Sequence, residues 1–112
     1  MDQFIALILT HFVSDWFFQP ASWANAKHKD WRIRLLHSMQ YALIFLPVLL
    51  FLNISLCWML YLLATHFIVD SYIPVKSWNK IRDLGSKKKS PTWLMIVQDQ
   101  IIHILLLIPL IL

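Results

Sequence analysis

Residues 33–73 read IRLLHSMQYALIFLPVLLFLNISLCWMLYLLATHFIVDSYI, and this stretch decides the fold. On each side of Asn53 lies an apolar stretch of about 20 residues, the length that an α-helix needs to cross the hydrocarbon core of a bilayer. Because so few residues separate the two stretches, the sequence predicts two antiparallel membrane helices joined by a tight turn.

Two further apolar stretches flank this hairpin, at residues 4–23 and 93–112. The first follows Met1-Asp2-Gln3, which offers no positively charged region, and no Ala-x-Ala site comes after it. We therefore interpret it as a retained helix and not as a cleaved signal peptide. The sequence predicts an all-α, polytopic membrane protein with a single domain, residues 1–112. This domain is a bundle of four transmembrane helices at about residues 4–23, 33–52, 54–73 and 93–112.

The composition agrees with a membrane environment, since 59% of the 112 residues are hydrophobic and only 14% are charged. It excludes intrinsic disorder and a collagen-like fold. Cys57 is the single cysteine, so neither an intrachain disulfide nor a thiolate zinc finger is available.

All the basic residues fall in or beside two of the three connections between the predicted helices. They are Lys27, Lys29, Arg32, Arg34, Lys76, Lys80, Arg82, Lys87, Lys88 and Lys89. By the positive-inside rule we expect these connections in the cytoplasm and both termini outside, as in a bacterial inner-membrane protein. The formal net charge of +4 also fits nucleic-acid binding, but basic loops against anionic lipid explain it more simply, and we expect no nucleic-acid partner.

Seven histidine and aspartate side chains lie within the predicted helices, where an uncompensated charge costs about 2.5–3.5 kcal/mol at the bilayer centre. They are His11, Asp15, His37, His66, Asp70, Asp99 and His103. The three His/Asp pairs are spaced i,i+4, which places both members of each pair on one helix face. At about 1.5 Å of rise per residue, all seven fall in one layer in the inner half of the membrane, so we expect them to meet in one site.

Two HFxxD motifs indicate an internal repeat. His11–Phe17 (HFVSDWF) and His66–Tyr72 (HFIVDSY) match at an offset of 55 residues, and each is followed by a basic connection and a helix with an early histidine. Because each unit contains two crossings, the units have the same orientation and form a parallel repeat, whose interface commonly builds a site. Chance similarity between two short aromatic-rich segments is the alternative.

Imidazole and carboxylate groups are ligands that suit zinc, manganese or iron. We predict one or two divalent ions, zinc in the first place, bound by His11, Asp15, His37, His66, Asp70 and His103. Asp99 is the candidate catalytic residue, either as a general base or as a partner that orients a metal ligand. Lys27, Arg34 and Arg82 are candidates for binding an anionic headgroup of the substrate. The same residues would also suit a proton relay without metal, or purely structural polar packing between helices.

The order of motifs in the chain resembles that of DUF3307, a family of small integral-membrane proteins of bacteria and phages. The matching motifs are HFxxDWxxQ (residues 11–19), LLHS (35–38), HFxxD (66–70) and DQxxH (99–103). The resemblance implies a compact membrane domain with a shared polar site, but no particular reaction. The chain is also loosely similar to membrane-bound metal-dependent hydrolases, which set His and Asp in transmembrane helices.

Together these patterns predict a membrane-embedded, metal-dependent hydrolase that acts on a lipid or other amphiphilic (phospho)ester from the cytoplasmic leaflet. One alternative is an ion- or proton-coupled transport protein, for which so small a chain would need to form oligomers. Another is a non-catalytic, phage-type modulator of a membrane partner. Membrane lipids are expected partners in every case.

Overall fold

A computed structural model describes residues 2–83 and 91–112 of the chain. These residues form six α-helices: α1 (Gln3–Phe12), α2 (Ala21–Ala26), α3 (Trp31–Phe51), α4 (Trp58–Asp70), α5 (Ile73–Asp83) and α6 (Thr92–Leu105). A π-helical turn at Val13–Phe17 continues α1, and a 3-10 turn at Ile108–Ile111 follows α6. The prediction of an all-α chain is confirmed for the described residues.

Two helical segments among the described residues are long and apolar enough to cross a membrane, Trp31–Phe51 and Thr92–Ile111. Helices α4 and α5 make a third candidate if they count as one span, although they are bent by 52° at their junction. The first segment, Gln3–Phe17, is shorter than these. The fold therefore has two to three candidate membrane spans where the sequence predicts four.

The first predicted span is interrupted because the chain leaves the helix at residues 18–20. Pro20 has no backbone N–H to donate and disfavours the helical conformation of the residue before it. The chain resumes as the short helix α2. The third predicted span also begins late, since residues 52–57 form the turn after α3, where Asn53 has the left-handed backbone (φ 56°) that asparagine tolerates.

Apolar and polar side chains are distributed in the reverse of the usual pattern of a water-soluble domain. Large apolar side chains such as Phe51, Leu60 and Ile68 are exposed, whereas the histidines and aspartates of the long helices are buried. An apolar outer surface suits contact with acyl chains, and the polar groups lie inside the bundle, away from that surface.

An apolar cluster connects α1, α3 and α4 with the chain beyond α6. Its buried members are Leu7, Tyr41, Phe45, Leu49, Leu62, Leu107 and Leu110. Tyr41 joins this cluster to the buried polar residues, because its ring packs with Phe45 while its hydroxyl contacts His11. The apolar cluster thereby holds the four segments in the positions from which their polar side chains converge.

We expect Phe45→Ala to lower the free energy of unfolding by about 3 kcal/mol, because it leaves a cavity in the apolar cluster. Phe51→Ala is the matched control on the same helix, since Phe45 is fully buried and Phe51 is 84% exposed. Equilibrium unfolding in detergent measures both variants. Equal losses for the two would contradict the core that we describe.

Candidate metal centre

All seven ionisable residues that the sequence singles out lie together inside the bundle. None is more than 3% exposed, and they come from α1 with its π-helical turn, α3, α4 and α6. We call this group the polar centre: His11, Asp15, His37, His66, Asp70, Asp99 and His103.

Asp15 enters the polar centre from the π-helical turn. In this turn the Phe18 N–H donates to the carbonyl of Val13, five residues back, at 3.2 Å. Such wide turns change which side chains face the bundle and are frequent at functional sites. Here the turn accompanies a fully buried Asp15 beside an exposed Trp16.

Asp70 enters the polar centre from the last residue of α4, where the chain is fixed by an unusual backbone conformation. Tyr72 has φ 63°, which costs an aromatic residue about 1–3 kcal/mol and needs support from its surroundings. His28 supplies that support: its ring stacks on Tyr72 at 3.5 Å between centroids, and its Nδ1–H donates to the Asp70 carbonyl at 2.6 Å. Burial lowers the pKa of His28, which keeps the ring neutral.

Four ligand atoms from three helical segments form the core of the polar centre. Asp15 Oδ1 lies 2.8 Å from His37 Nε2, and Asp70 Oδ2 lies 2.8 Å from His66 Nε2. The cross distances are also short, at 3.5 Å from His37 to Asp70 and 3.6 Å from His66 to Asp15. One ligand atom from each of the four residues lies within 4.8 Å of the others, so the four could hold a metal ion together.

Hydrogen bonds around His37 fix its tautomer. The Gln40 amide nitrogen donates to the Ser14 carbonyl, so the Gln40 oxygen accepts from His37 Nδ1–H at 3.1 Å. In a neutral ring the lone pair of Nε2 then faces Asp15 Oδ1, an acceptor, at 2.8 Å. Two acceptors face each other at hydrogen-bond distance, and a cation or proton is needed to satisfy both.

His103 repeats this arrangement in a second group. Its Nδ1–H donates to the Asp99 carbonyl at 2.8 Å, which leaves the Nε2 lone pair 3.4 Å from Asp70 Oδ1. Asp70, Asp99 and His103 form a second set of buried atoms close enough to hold a metal ion. Asp70 belongs to both sets, so its two oxygens can serve two neighbouring ions.

His11 lies in the polar centre but outside both ligand sets. The Gln100 amide nitrogen donates to Asp15 and Asp99, so the Gln100 oxygen accepts from His11 Nε2–H at 2.7 Å. The other ring nitrogen of His11 then accepts from the Tyr41 hydroxyl at 2.9 Å. Both nitrogens of this predicted ligand are already partnered, which suits a role in orienting Gln100.

Lys27 is the buried cation of the polar centre. Its side chain is nearly inaccessible, and its Nζ lies 3.3 Å from Asp15 Oδ1 and 3.3 Å from Asp70 Oδ2. Burial by itself lowers the pKa of Lys27, but the carboxylates of Asp70 and Asp15 outweigh it and raise the pKa, so the ammonium stays charged. The sequence suggests a headgroup contact for Lys27, whereas the structure places its ammonium against two carboxylates.

The other two predicted headgroup residues lie away from the ligand sets. Arg34 donates to the backbone carbonyls of Lys27 at 3.3 Å and His28 at 3.5 Å, and its guanidinium lies over Phe67. It thereby fixes the loop that carries Lys27. Arg82 is exposed on α5. Lys87, Lys88 and Lys89 lie outside the described residues.

A cavity of about 150 Å³ adjoins the polar centre. It is lined by Trp16, Gln19, Ala24, Lys27, His28, Tyr72, Ile96, Asp99 and Gln100. Trp16 is 56% exposed and Asp99 is 2% exposed, so the cavity connects the molecular surface with the buried carboxylates. We call it the access pocket.

Sequence reasoning missed the positions of Lys27 and His28. Both lie in the polar stretch AKHKD (residues 26–30), which is typical of a solvated or lipid-contacting loop and carries no helical periodicity. Only the fold shows that this loop turns its second and third residues inward. The sequence does offer a signal for Tyr41 and Gln100. Each is a polar residue one helical turn from a predicted ligand, Tyr41 from His37 and Gln100 from His103.

The chain matches one protein family over residues 3–112, which is described as a protein of unknown function (DUF3307). Neither the curated proteins nor the solved structures contain a match to the chain.

We expect Tyr41→Phe to lower the free energy of unfolding by about 1–3 kcal/mol, because it leaves the buried Nδ1 of His11 without a partner. Tyr61→Phe is the matched control, since its hydroxyl donates to the Leu106 carbonyl at a less buried position away from the polar centre. Equilibrium unfolding in detergent compares the two. A larger loss for Tyr61→Phe would contradict the importance of the His11 hydrogen bond.

Proposed function

Since the chain belongs to DUF3307, a family of proteins of unknown function, the site itself has to indicate the activity, and we propose that the protein is a membrane-embedded, metal-dependent hydrolase. The observation that carries the proposal is the convergence of buried acceptor atoms in the polar centre. Asp70 Oδ1 and His103 Nε2 are buried without a hydrogen-bond partner at 3.4 Å from each other, and the Nε2 lone pair of His37 faces Asp15 Oδ1 at 2.8 Å.

Unpartnered acceptors of this kind fit a bound cation. A buried acceptor without a partner costs about 1–3 kcal/mol, and two pairs of acceptors that face each other would be costly in a bundle that serves only for packing. A divalent ion satisfies such atoms together, because each lone pair becomes a ligand. The donor set is made of imidazole nitrogen and carboxylate oxygen, which favours zinc, with manganese or iron as further possibilities.

The two ligand sets assign residues to the proposed ions. Asp15, His37, His66 and Asp70 would hold one ion, and Asp70 and His103 would contribute ligands to a second ion beside Asp99. The hydrogen bonds that His37 donates to the Gln40 oxygen and His103 donates to the Asp99 carbonyl orient these rings so that Nε2 is the ligand atom. His11 contributes through Gln100, which contacts Asp15 and Asp99.

A divalent ion bound in the polar centre supplies Lewis-acid polarisation of an ester and a lowered pKa for water. Asp99 is the residue that we propose as general base, because it lines the access pocket and has a buried oxygen without a partner. Gln100 also lines the pocket and holds the other oxygen of Asp99 at 3.3 Å. A substrate that enters the access pocket would therefore meet the base and the ligand sets together.

We propose a lipid or another amphiphilic (phospho)ester of the cytoplasmic leaflet as the substrate. The access pocket is polar at Lys27 and Asp99 and aromatic at Trp16 and Tyr72, which suits a molecule with a polar head and an apolar body. We further propose four crossings in a bacterial inner membrane, with the termini outside and the basic connections in the cytoplasm. The basic residues favour this topology, since all of them fall in or beside two connections.

One observation favours a second function, ion- or proton-coupled transport. Lys27 already neutralises part of the charge of Asp15 and Asp70, as expected of a centre that binds its ion transiently. Buried carboxylates and histidines in membrane helices are also typical of proton and ion pathways. Measurements of metal binding, lipid hydrolysis and ion flux distinguish a transport protein from a hydrolase and from a non-catalytic modulator.

We expect Asp70→Asn to abolish stoichiometric metal binding, because Asp70 belongs to both ligand sets and the substitution removes its charge at constant size. Asp30→Asn is the matched control: Asp30 is an exposed carboxylate that caps α3 through the Arg32 N–H. Elemental analysis of the purified proteins measures bound zinc, manganese and iron. A wild-type protein without bound metal under metal-replete conditions would overturn the metal centre.

We expect the metal-loaded protein in liposomes to hydrolyse members of a phospholipid panel, and Asp99→Asn to lower kcat about 100-fold by removing the general base. Asp30→Asn again serves as the control and should keep full activity. Mass spectrometry of the lipids detects the products, and ion flux is followed in the same liposomes. Flux that His66→Ala abolishes, without hydrolysis, would support transport, and the absence of both activities would leave the modulator.

A further inference from the structure

Lys27 contacts the same oxygen atoms that the first metal ion would use. Its ammonium lies 3.3 Å from Asp15 Oδ1 and from Asp70 Oδ2, and these are the oxygens that His37 Nε2 and His66 Nε2 approach at 2.8 Å. An ammonium and a metal ion repel each other at such distances. The two therefore cannot both hold this pair of oxygens.

We propose that Lys27 is a tethered cation that competes with the metal ion for Asp15 and Asp70, and that metal binding displaces its ammonium into the access pocket. This inference rests on the proposed metal centre and assigns the residue that regulates it. Lys27 is thus a positioning residue, which acts on the ligands and not on the substrate.

The access pocket offers the displaced ammonium a place to go. Lys27 already lines this cavity of about 150 Å³, so the movement needs only rotation of its side chain. Another residue of the lining, Gln19, has a buried side-chain oxygen without a hydrogen-bond partner. An ammonium has three N–H donors, and this acceptor would satisfy one of them.

The backbone of Lys27 is fixed, which makes the side chain the moving part. Its N–H donates to the Trp23 carbonyl at 2.8 Å, and its own carbonyl accepts from Arg34 at 3.3 Å. The lysine stem has four rotatable carbons and carries a compact charge, so it can exchange between two sets of partners without a change in the helices.

Competition of this kind makes binding depend on the charge of the ion. Asp15 and Asp70 carry two negative charges, of which the Lys27 ammonium balances one. A monovalent ion that replaces the ammonium gains nothing in formal charge, whereas a divalent ion neutralises the pair. Lys27 should therefore exclude monovalent ions and weaken the binding of divalent ions.

The test is a titration of the protein in detergent with zinc chloride, in which calorimetry measures the affinity for zinc. Lys27→Met removes the charge and keeps a long side chain, so we expect it to bind zinc at least tenfold more tightly than the wild type. Lys27→Arg keeps a positive charge and should not show this gain. If the wild type binds zinc and Lys27→Met binds it no more tightly, the competition is refuted while the metal centre stands. If neither protein binds zinc, both proposals fail.

A second variant tests the destination of the ammonium, and its effect as a single substitution does not depend on the folding of Lys27→Met. Gln19→Leu removes one acceptor of the access pocket, so we expect it to weaken zinc binding about threefold in the wild type and to have no effect when combined with Lys27→Met. Gln98→Leu is the matched control, since Gln98 pairs with Asn79 outside the access pocket. Unchanged zinc affinity in Gln19→Leu would overturn the displacement into the pocket.

Discussion

The polar centre depends on two carboxylates that share one ammonium in an apolar surrounding. Asp15 and Asp70 come from different halves of the chain, and the Lys27 Nζ lies 3.3 Å from both. Leaving one such charge buried without a partner would cost several kcal/mol. The interaction therefore ties the π-helical turn after α1, the end of α4 and the loop after α2 to one point, and the remaining polar groups arrange themselves around it.

The sequence predicts the composition of the polar centre because helical periodicity is visible in it. The i,i+4 pairs and the depth of each residue along its helix place His37, Asp70 and His103 in one layer, and the structure brings them together. What lies in loops is not predictable in this way, since a loop has no period. Lys27 and His28 lie inside because Arg34 and Tyr72 hold their loop against α4, and these contacts depend on the tertiary fold.

The helix boundaries are likewise predictable from the sequence only in part. Hydropathy marks where apolar stretches begin and end, so α3 agrees with the predicted second span to within two residues at its start and one at its end. Hydropathy does not reveal breaks inside an apolar stretch. The exit from helix at residues 18–20 and the bend of 52° after Asp70 both lie in such stretches. Each break lies within five residues after the aspartate of an HFxxD motif, so the two departures from regular helix accompany the two carboxylates.

The two HFxxD motifs contribute similarly to the polar centre, but their surroundings differ. Each half pairs its HFxxD aspartate with the early histidine of its following helix, Asp15 with His37 at 2.8 Å and Asp70 with His103 at 3.4 Å. At the repeat offset of 55 residues, Lys27 corresponds to Arg82, but Lys27 is buried against the carboxylates whereas Arg82 is exposed on α5. A guanidinium added to the ammonium would neutralise Asp15 and Asp70 completely and remove their attraction for an ion. With one cation for two carboxylates, the pair keeps one negative charge, and this residual charge is what a divalent ion would be drawn to.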